Sequence, residues 1–255
     1  AAGLALAAHP NPATFGQSVT LTATVSSSAG TPTGSVAFQH HGLPLATASL
    51  SNGVALITTT ALTGGDHTLT FDYSGDDLFS SATSGVLAFS VDKAMPSVLL
   101  AVSPNPAIFG ESVTLTATVT SDAGVPTGSV VFLAQGTALA TVPLSAGVAV
   151  YSTSAFNAGS HALAAIYTGD GDFASASAAG VTLAVGKATP AITLAVQPDA
   201  TTFGQSVTLT ATVVSAAGVL SGNVLFYDDG DVASTTLLSD GVAVFTALGA
   251  RIRIQ

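Results

Sequence analysis

The amino-acid sequence predicts an all-β protein in which antiparallel β-sandwiches follow one another along the chain. The first observation is a repeat, because Phe-Gly pairs begin at Phe15, Phe109 and Phe203 with a constant spacing of 94 residues. The second is a strict alternation of apolar and polar residues over short segments bounded by turn residues, with no helical period. A spacing without insertions indicates that each copy is one folding unit whose loops also have fixed lengths.

The strands of the first repeat follow from this alternation. In segment 18–25 the apolar side chains at odd positions share one face and hydroxyl side chains occupy the other, as in a half-buried strand. The same eight letters recur at 112–119 and 206–213. Alternation and flanking turns predict the other strands of this repeat at 3–8, 35–39, 45–50, 54–60, 67–73 and 87–91.

Turn residues separate these strands. They are Thr-Pro-Thr-Gly at 31–34, Ser-Asn-Gly at 51–53 and Ser-Gly-Asp-Asp at 74–77. The inward strand positions hold large apolar residues, among them Phe38, Phe71, Tyr73 and Phe89. About seven strands per repeat, with turns about every 8–12 residues, are typical of an immunoglobulin-like sandwich of two antiparallel sheets. The Cys–Trp–Cys core of antibody domains is absent, so the aromatic residues fill that space.

The repeat predicts three domains, namely complete sandwiches at 1–93 and 94–188 and an incomplete unit at 189–255. The last strand of one unit runs into the first strand of the next through about four residues, which include Pro96 or Pro190. Short proline-containing joints are stiff, whereas flexible linkers are longer and rich in Gly and Ser. We therefore expect a semi-rigid, extended rod in which each unit adds ~35–40 Å, given strands of about eight residues.

The third unit is unfinished. It matches the other two through residue 244 and then diverges in the tail 247–255, which contains Arg251 and Arg253. The inward residues of the two missing strands would contribute roughly 1.5–3 kcal/mol each on burial, together about 10–20 kcal/mol. That sum matches or exceeds the stability of a typical domain, about 5–15 kcal/mol. We therefore predict that residues 190–255 do not form a stable free-standing sandwich.

The composition excludes several classes of function. The formal net charge is −10 with only four basic residues, and binding to nucleic acid or anionic membranes needs clustered Lys or Arg. No apolar run reaches the roughly 18–20 residues of a membrane span. The absence of cysteine excludes disulfides, thiol nucleophiles and thiolate metal sites. Charged residues make up 7% of the chain, against about 25% in ordinary globular proteins, so the predicted surface is rich in small and hydroxyl side chains.

A set of motifs recurs in both full repeats and carries a family resemblance. The motifs are Pro-Asn-Pro-x-x-Phe-Gly-x-Ser-Val-Thr-Leu-Thr-Ala-Thr-Val at 10–25 and 104–119, Pro-Thr-Gly-Ser-Val-x-Phe at 32–38 and 126–132, Tyr-x-Gly-Asp-x-x-Phe at 73–79 and 167–173, and a Lys-Ala-x-Pro joint. Together they resemble the bacterial Ig-like domain, group 3, over essentially the whole chain except about the last ten residues. The third copy departs from the pattern, since Gln-Pro-Asp-Ala stands at its opening and the Tyr-x-Gly-Asp motif is absent. The resemblance implies tandem arrays in secreted or surface proteins, serving as spacers, stalks or adhesion modules without enzymatic activity.

Carboxylates cluster near the turn that precedes the last strand of each full repeat. The candidate calcium ligands are Asp72, Asp76 and Asp77 in the first repeat and Asp170 and Asp172 in the second. Hard cations take several carboxylate and carbonyl oxygens, which a turn supplies. The favoured alternative is a plain Gly-Asp turn, in which the aspartate bonds the nearby backbone and glycine adopts positive φ. No other cofactor is expected.

The histidines point to no metal site at this stage. His67 and His161 occupy equivalent strand-start positions, where a solvated or backbone-bonded ring is expected. His40 and His41 are adjacent, so strand geometry predicts that they face opposite sides and do not chelate together. Tyr151 and Phe245 have the opposite strand parity from Val150 and Val244, so they are either exposed or cover a sheet face or a joint.

These observations predict a non-enzymatic spacer, stalk or adhesion module of a bacterial cell-surface or secreted protein. No catalytic residues are predicted, because the sequence has neither a Gly-x-Ser-x-Gly nucleophile motif nor a glycine-rich phosphate loop before a helix. The alternative is a carbohydrate- or protein-binding accessory module of a secreted hydrolase. The expected partners are neighbouring units of the same chain and a host or matrix protein or glycan, with no nucleic acid and no membrane insertion of this segment.

Overall fold

The computed structural model describes residues 2–202, 204–218 and 220–248, and every regular element in these ranges is a β-strand. The all-β prediction is therefore confirmed, whereas Phe203 and most of the divergent tail, with Arg251 and Arg253, lie outside the described residues. No helix in the described ranges is long and apolar enough to cross a bilayer.

Contacts between Cα atoms divide the chain into two compact units. The first comprises Ala1–Ala101, Leu115–Tyr151 and Ala162–Val181. The second comprises Val102–Thr114, Ser152–His161 and the residues from Thr182 onward. This division passes through the second repeat, so the domain bounds 1–93, 94–188 and 189–255 stay a prediction.

The first repeat is a sandwich of two sheets. Its strands are β1 (Gly3–His9), β2 (Ala13–Thr14), β3 (Val19–Ser26), β4 (Ser35–His40), β5 (Leu43–Ser49), β6 (Val54–Thr59), β7 (Gly65–Tyr73), β8 (Ala82–Thr83) and β9 (Leu87–Asp92). One sheet has the order β1-β3-β6, and the other has the order β2-β9-β7-β4-β5 with β8 paired to β7. Seven longer strands and two short ones agree with the predicted number.

Alternation places the core of this sandwich where the sequence predicts it. The inward side chains of β3 are buried and its threonines are half-buried. From the opposite sheet, β4 and β7 contribute Phe38, Leu69, Phe71 and Tyr73, all of them 0–1% exposed. These residues belong to one hydrophobic cluster that also contains Phe89. Burial of such large apolar surfaces is the main stabilising term of the fold.

The sheets are not purely antiparallel, which corrects the prediction. Strand β1 pairs antiparallel with β3, and the short β2 pairs parallel with β9 through Ala13↔Val91 and Thr14↔Asp92. Pro10 and Pro12 lie between β1 and β2. Because proline has no N–H to donate, these residues end the β1 ladder, and the chain passes to the other sheet.

The second repeat has the same order of strands. They are β10 (Ser97–Ser103), β11 (Ala107–Ile108), β12 (Val113–Thr120), β13 (Ser129–Ala134), β14 (Thr137–Pro143), β15 (Val148–Thr153), β16 (Gly159–Tyr167), β17 (Ala176–Ser177) and β18 (Val181–Gly186). The sheet orders are β10-β12-β15 and β11-β18-β16-β13-β14, with β17 on β16. Its fully buried side chains include Leu115, Phe132, Leu163, Tyr167 and Leu183. The constant spacing therefore reproduces both the topology and the buried positions.

In the described ranges, the third repeat has fewer strands and a smaller core than the first two. Its described strands are β19 (Ala191–Gln197), β20 (Ser206–Val214), β21 (Asn223–Asp228), β22 (Asp231–Leu237) and β23 (Val242–Leu248). They form the three-stranded sheet β19-β20-β23 and the two-stranded sheet β21-β22. The core cluster contains Val207, Leu209, Ala211, Phe226 and Ala243, against fourteen buried residues in the first repeat.

A two-residue loop with positive φ at both positions joins equivalent strands in every repeat. In the first repeat His41 (φ 51°) and Gly42 (φ 77°) join β4 to β5. The corresponding pairs are Gln135-Gly136 and Asp229-Gly230, with φ of 50° and 80° and of 50° and 94°. Positive φ at both residues is the signature of the type I′ hairpin, whose twist matches that of the flanking strands. This loop positions the histidine group described next.

Candidate functional site

The aspartate of the Tyr-x-Gly-Asp motif stabilises its turn in the first repeat through side-chain hydrogen bonds. Asp76 Oδ2 accepts hydrogen bonds from the Thr33 amide (2.7 Å) and hydroxyl (2.9 Å), and Oδ1 accepts from the amides of Leu78 and Phe79 at 2.8 Å each. The Thr33 amide bond is the main cause that holds the pKa of Asp76 well below its usual range. Gly75 adopts φ 76°, as a Gly-Asp turn requires.

The second repeat builds the same turn from Asp170. Its Oδ2 accepts from the Thr127 amide (2.9 Å) and hydroxyl (2.6 Å), and its Oδ1 accepts from the amides of Asp172 and Phe173. Burial alone would raise the pKa of Asp170, but the hydrogen bonds from Thr127 and from the turn amides outweigh burial and hold that pKa well below its usual range. Both oxygens of each aspartate are thus engaged inside the protein.

The other three calcium candidates do not share a hydrogen-bond partner. Asp72 accepts hydrogen bonds from the Gln39 amide group and from Thr83 Oγ1 (2.6 Å) across the sheet. Asp77 is exposed, and Asp172 Oδ1 accepts a hydrogen bond from the Gly64 amide. The structure therefore matches the Gly-Asp turn that the sequence analysis favoured, and calcium binding stays a prediction.

Backbone hydrogen bonds connect the first repeat to the part of the second that belongs to the same compact unit. The Ala94 amide donates to the Asp172 carbonyl, and the Ala174 amide donates to the Ala94 carbonyl, both at 2.9 Å. Ala94 thereby forms a parallel bridge with Phe173 and is 5% exposed. The Lys93 ammonium donates to the Asp170 carbonyl. Within the joint 93–96, Ala94 is thus tied to the second repeat by two backbone hydrogen bonds.

Side-chain packing completes this joint. Phe15 contacts Phe173 edge-to-face, with ring centroids 5.3 Å apart and an interplanar angle of 79°. Gly16 lies so close to the second repeat that an added Cβ would meet Ala123 Cβ at 2.7 Å, a distance that real Cβ atoms essentially never show. The Phe-Gly pair that marks each repeat is therefore a joint residue pair in the first copy. The sequence signal was visible, but its role was not.

The structure overturns the prediction that His40 and His41 face opposite sides. The ring centroids of His40 and His41 are 4.2 Å apart, and the His67 ring lies 4.8 Å from His40 and 5.6 Å from His41. The alternation of side chains between the two faces applies only within β4, which ends at His40. His41 is the first residue of the type I′ loop, so its side chain does not point to the opposite face from that of His40. Pairing of β4 with β7 supplies His67.

The hydrogen bonds of these rings determine their tautomers. His67 Nε2 lies 2.8 Å from the Thr63 carbonyl oxygen, which only accepts, so Nε2 carries the proton and Nδ1 presents a lone pair. His40 Nε2 lies 2.7 Å from that Nδ1 and is therefore the donor. Burial lowers the pKa of His40, and neighbouring His41 and His67 lower it further, which favours the neutral form of the His40 ring. His67 is backbone-bonded as predicted, but it is 5% exposed and therefore not solvated.

Among the described residues, these histidines are the one group of three or more His, Cys, Asp or Glu side chains whose ligand atoms converge, and the atoms lie within 4.8 Å of one another. A sequence signal for this group exists in retrospect. His-Gly directly after an alternating strand is a two-residue hairpin loop, and the loop folds the next side chain back toward the partner strand.

Tyr151 and Phe245, whose exposure the sequence did not decide, are half-buried. The Tyr151 ring stacks on Phe132, and the Phe245 ring packs against Phe226.

The family follows from a match that covers both complete sandwiches. The model of the bacterial Ig-like domain, group 3, matches residues 6–92 and 100–186. The chain belongs to this family. Each matched range begins within the first strand of a nine-stranded repeat and ends with its last strand, at Asp92 or Gly186. The match confirms the resemblance inferred from the recurring motifs. A comparison with curated proteins finds no significant match.

Solved structures with similar folds come from several contexts. The Escherichia coli adhesin FdeC is 19% identical, with 98% of this chain and 91% of that chain covered and a TM-score of 0.35. The fibronectin(III)-like modules of Clostridium thermocellum CbhA are 22% identical, with 72% and 95% covered and a TM-score of 0.33. The ICAM-5 D1–D4 ectodomain fragment is 16% identical, with 99% and 76% covered and a TM-score of 0.42. Each of these is a similarity of fold.

Proposed function

We propose that this tandem bacterial Ig-like chain is a non-catalytic spacer of a cell-surface or secreted protein, whose first repeat is held fixed against the adjoining part of the second. The observation that carries the proposal is the joint at Ala94, where backbone hydrogen bonds and a parallel bridge link the first repeat to the second. A flexible tether would leave these backbone groups to water. A ladder across the joint instead makes bending cost hydrogen bonds.

Three further features support this role. The joint is short, since four residues separate β9 from β10. The Phe15–Phe173 and Gly16–Ala123 contacts add side-chain packing to the backbone bridge at Ala94. The surface carries few charged groups, which suits a segment that projects other parts of a protein more than one that steers charged ligands.

The orientation of the first two repeats in solution tests the proposal. Residual dipolar couplings measured on the full chain give one alignment tensor for each repeat. We expect the tensors of 1–93 and of 115–151 with 162–181 to agree in magnitude and orientation, as for one rigid body. Tensors of clearly different magnitude would show independent motion and would contradict the spacer role.

The location and partners are tested separately. We expect antibodies against the chain to label intact bacteria or the culture medium, and no labelling before lysis would contradict the surface or secreted location. The proposed partners are the neighbouring Ig-like units of the same protein, with a host or matrix protein or glycan contacted by other parts of it. Saturable binding of the isolated chain to a glycan or matrix protein would instead favour a binding module.

A further inference from the structure

The three histidines of the first repeat carry an inference that is independent of the spacer role. We propose that His40, His41 and His67 bind one Zn²⁺ ion through three imidazole nitrogens, with water as the fourth ligand. The site joins the β4–β5 loop to strand β7. Its ligand atoms already lie within 4.8 Å of one another.

His67 is held in the orientation of a metal ligand. Its Nε2–H donates to the Thr63 carbonyl at 2.8 Å, so the other ring nitrogen, Nδ1, is unprotonated and directs its lone pair at His40 Nε2. Histidines that ligate metals almost always donate their second N–H to a carbonyl or carboxylate, which fixes the tautomer and raises ligand basicity. Burial of His67 among core residues fixes the ring further, since it is 5% exposed and lies 6.2 Å from the Phe89 ring.

His40 directs a nitrogen at the same point. Its Nε2 lies 2.7 Å from His67 Nδ1, so a hydrogen bond occupies the place between the two nitrogens. Tetrahedral Zn–N bonds of about 2.0–2.1 Å place ligand nitrogens about 3.3 Å apart. Zinc entry therefore requires the two rings to separate by a fraction of an ångström and the His40 proton to move from Nε2 to Nδ1. This change of tautomer leaves the number of bound protons the same.

His41 supplies the third nitrogen from the solvent side. Its positive φ turns the ring toward His40, and Thr68 Oγ1 lies 3.0 Å from its Nδ1. The residue is exposed, so the ion has a path into the site and water has access to the fourth position. Three protein ligands and one water are a common coordination of zinc.

The ligand types select the class of metal. Neutral imidazole suits Zn²⁺ and other late first-row ions such as Cu²⁺ and Ni²⁺, whereas Ca²⁺ and Mg²⁺ prefer carboxylate and carbonyl oxygens. The site is also singular within the chain. The residues equivalent to His40 and His41 are Ala134 and Gln135 in the second repeat and Asp228 and Asp229 in the third. The fold therefore does not require histidines at these two positions.

The second repeat provides a matched variant. The double substitution His40→Ala with His41→Gln installs the residues that the second repeat carries in the same type I′ loop, so the hairpin is preserved. His161→Gln is the control, because His161 has the same backbone bond as His67, from Nε2 to the Asn157 carbonyl at 2.8 Å, without the other two histidines. Calorimetric titration of the metal-free full chain with zinc chloride measures stoichiometry and affinity for all three proteins.

We expect one ion per chain for the wild type and for His161→Gln. The double variant should bind more than about 100-fold more weakly, because loss of a group that hydrogen-bonds to a metal ligand already costs about 10–100-fold and here two ligands are removed. Saturating zinc should raise the melting temperature of the wild type and not that of the double variant. Calcium chloride should give no signal at this site.

Nitrogen-15 NMR of the imidazoles provides a measurement that needs no variant. Zinc should shift His67 Nδ1 and His40 Nε2 by the amounts typical of metal coordination, while the His67 Nε2–H stays bonded. Absence of saturable binding, unchanged affinity in the double variant, one ion per two chains, or zinc-dependent shifts confined to His9 or His161 would each overturn the proposal.

Discussion

The Gly64 amide donates a 2.7 Å hydrogen bond to Asp172 Oδ1, although the two residues are 108 positions apart in the chain. Gly64 directly precedes β7 in the first repeat, and Asp172 lies in the Gly-Asp turn of the second. An added Cβ at Gly64 would meet the Gly171 carbonyl oxygen at 2.6 Å, so the two loops are in close backbone contact. The turn fastened by Asp170 is therefore also a joint element.

Removal of the Asp172 carboxylate should loosen this joint. A hydrogen bond to a charged group contributes about 1.5–3 kcal/mol, and partial exposure reduces this to about 1–2 kcal/mol here. In Asp172→Ala we expect amide hydrogen exchange at Gly64 and Ala94 to become about tenfold faster or more. The core amides of β3 and β7 should be unaffected.

Asp77→Ala is the matched control, because Asp77 is an exposed aspartate in the equivalent turn of the first repeat. It should leave exchange at both amides unchanged. Equal exchange at Ala94 in Asp172→Ala and in the wild type would show that the carboxylate has no role in the joint.

The two Gly-Asp turns should make the protein sensitive to acid. The pKa values of Asp76 and Asp170 are well below their usual range in the folded state, and an unfolded aspartate titrates at about 3.9. The unfolded chain therefore takes up protons first as pH falls, so the stabilisation is complete above about pH 5 and declines below pH 4 toward the folded pKa.

Asp76→Asn tests this dependence. The amide nitrogen of Asn cannot accept a hydrogen bond, so either the Thr33 donors or the turn amides lose their acceptor. We expect a lower free energy of unfolding than wild type at pH 7, and a difference that shrinks as pH falls from 4 to 2. Urea unfolding across this range measures it, with Asp77→Asn as the control. A difference that is constant with pH would show that ionisation of Asp76 is not involved.

The core of the first sandwich should be intolerant of truncation at Phe71. This side chain is fully buried and lies 6.3 Å from Phe38 between ring centroids. Phe71→Ala should lower the free energy of unfolding by about 3–5 kcal/mol. The variant loses the free energy of burying the ring and also leaves a cavity that the surrounding side chains fill only in part. Leu56→Ala is the control, because Leu56 is 58% exposed, and it should change stability by less than about 1 kcal/mol. Similar losses in denaturant unfolding for both variants would contradict this assignment of the core.

The strands and the core were predictable because their signals are local. Alternation along β3 and β7 states directly which side chains are buried, and the repeat carries this to the second copy. The histidine group was not predictable by the same rule. Alternation holds only inside a strand, and His41 lies one residue beyond β4 with positive φ. His67 comes from a strand whose pairing with β4 depends on the whole sheet.

The joint was predicted only in part. Its length and its proline are visible in the sequence, but the contacts of Asp172 and Ala123 depend on how the first repeat and its neighbour pack together. No local pattern distinguishes an aspartate that accepts from Gly64 from one that faces water. Similarly, the Asp76 turn could be inferred from Gly-Asp, whereas its Thr33 donors come from a different loop.

The third repeat should be the least protected part of the described chain. Among the described residues, its core cluster has five buried residues against fourteen in the first repeat. With less apolar surface buried, β21 and β22 should open far more readily than β4 and β5. Hydrogen exchange followed by mass spectrometry should show deuterium uptake in 221–248 within seconds to minutes, while 35–73 stays protected for hours. The same strands in the second repeat, β13 and β14, are the internal control.

Limited proteolysis should give first cleavages after residue 190 and leave 1–186 intact. Equal protection of 221–248 and 129–153, or equal resistance to protease, would show that the smaller core of the described third repeat is enough for a stable unit.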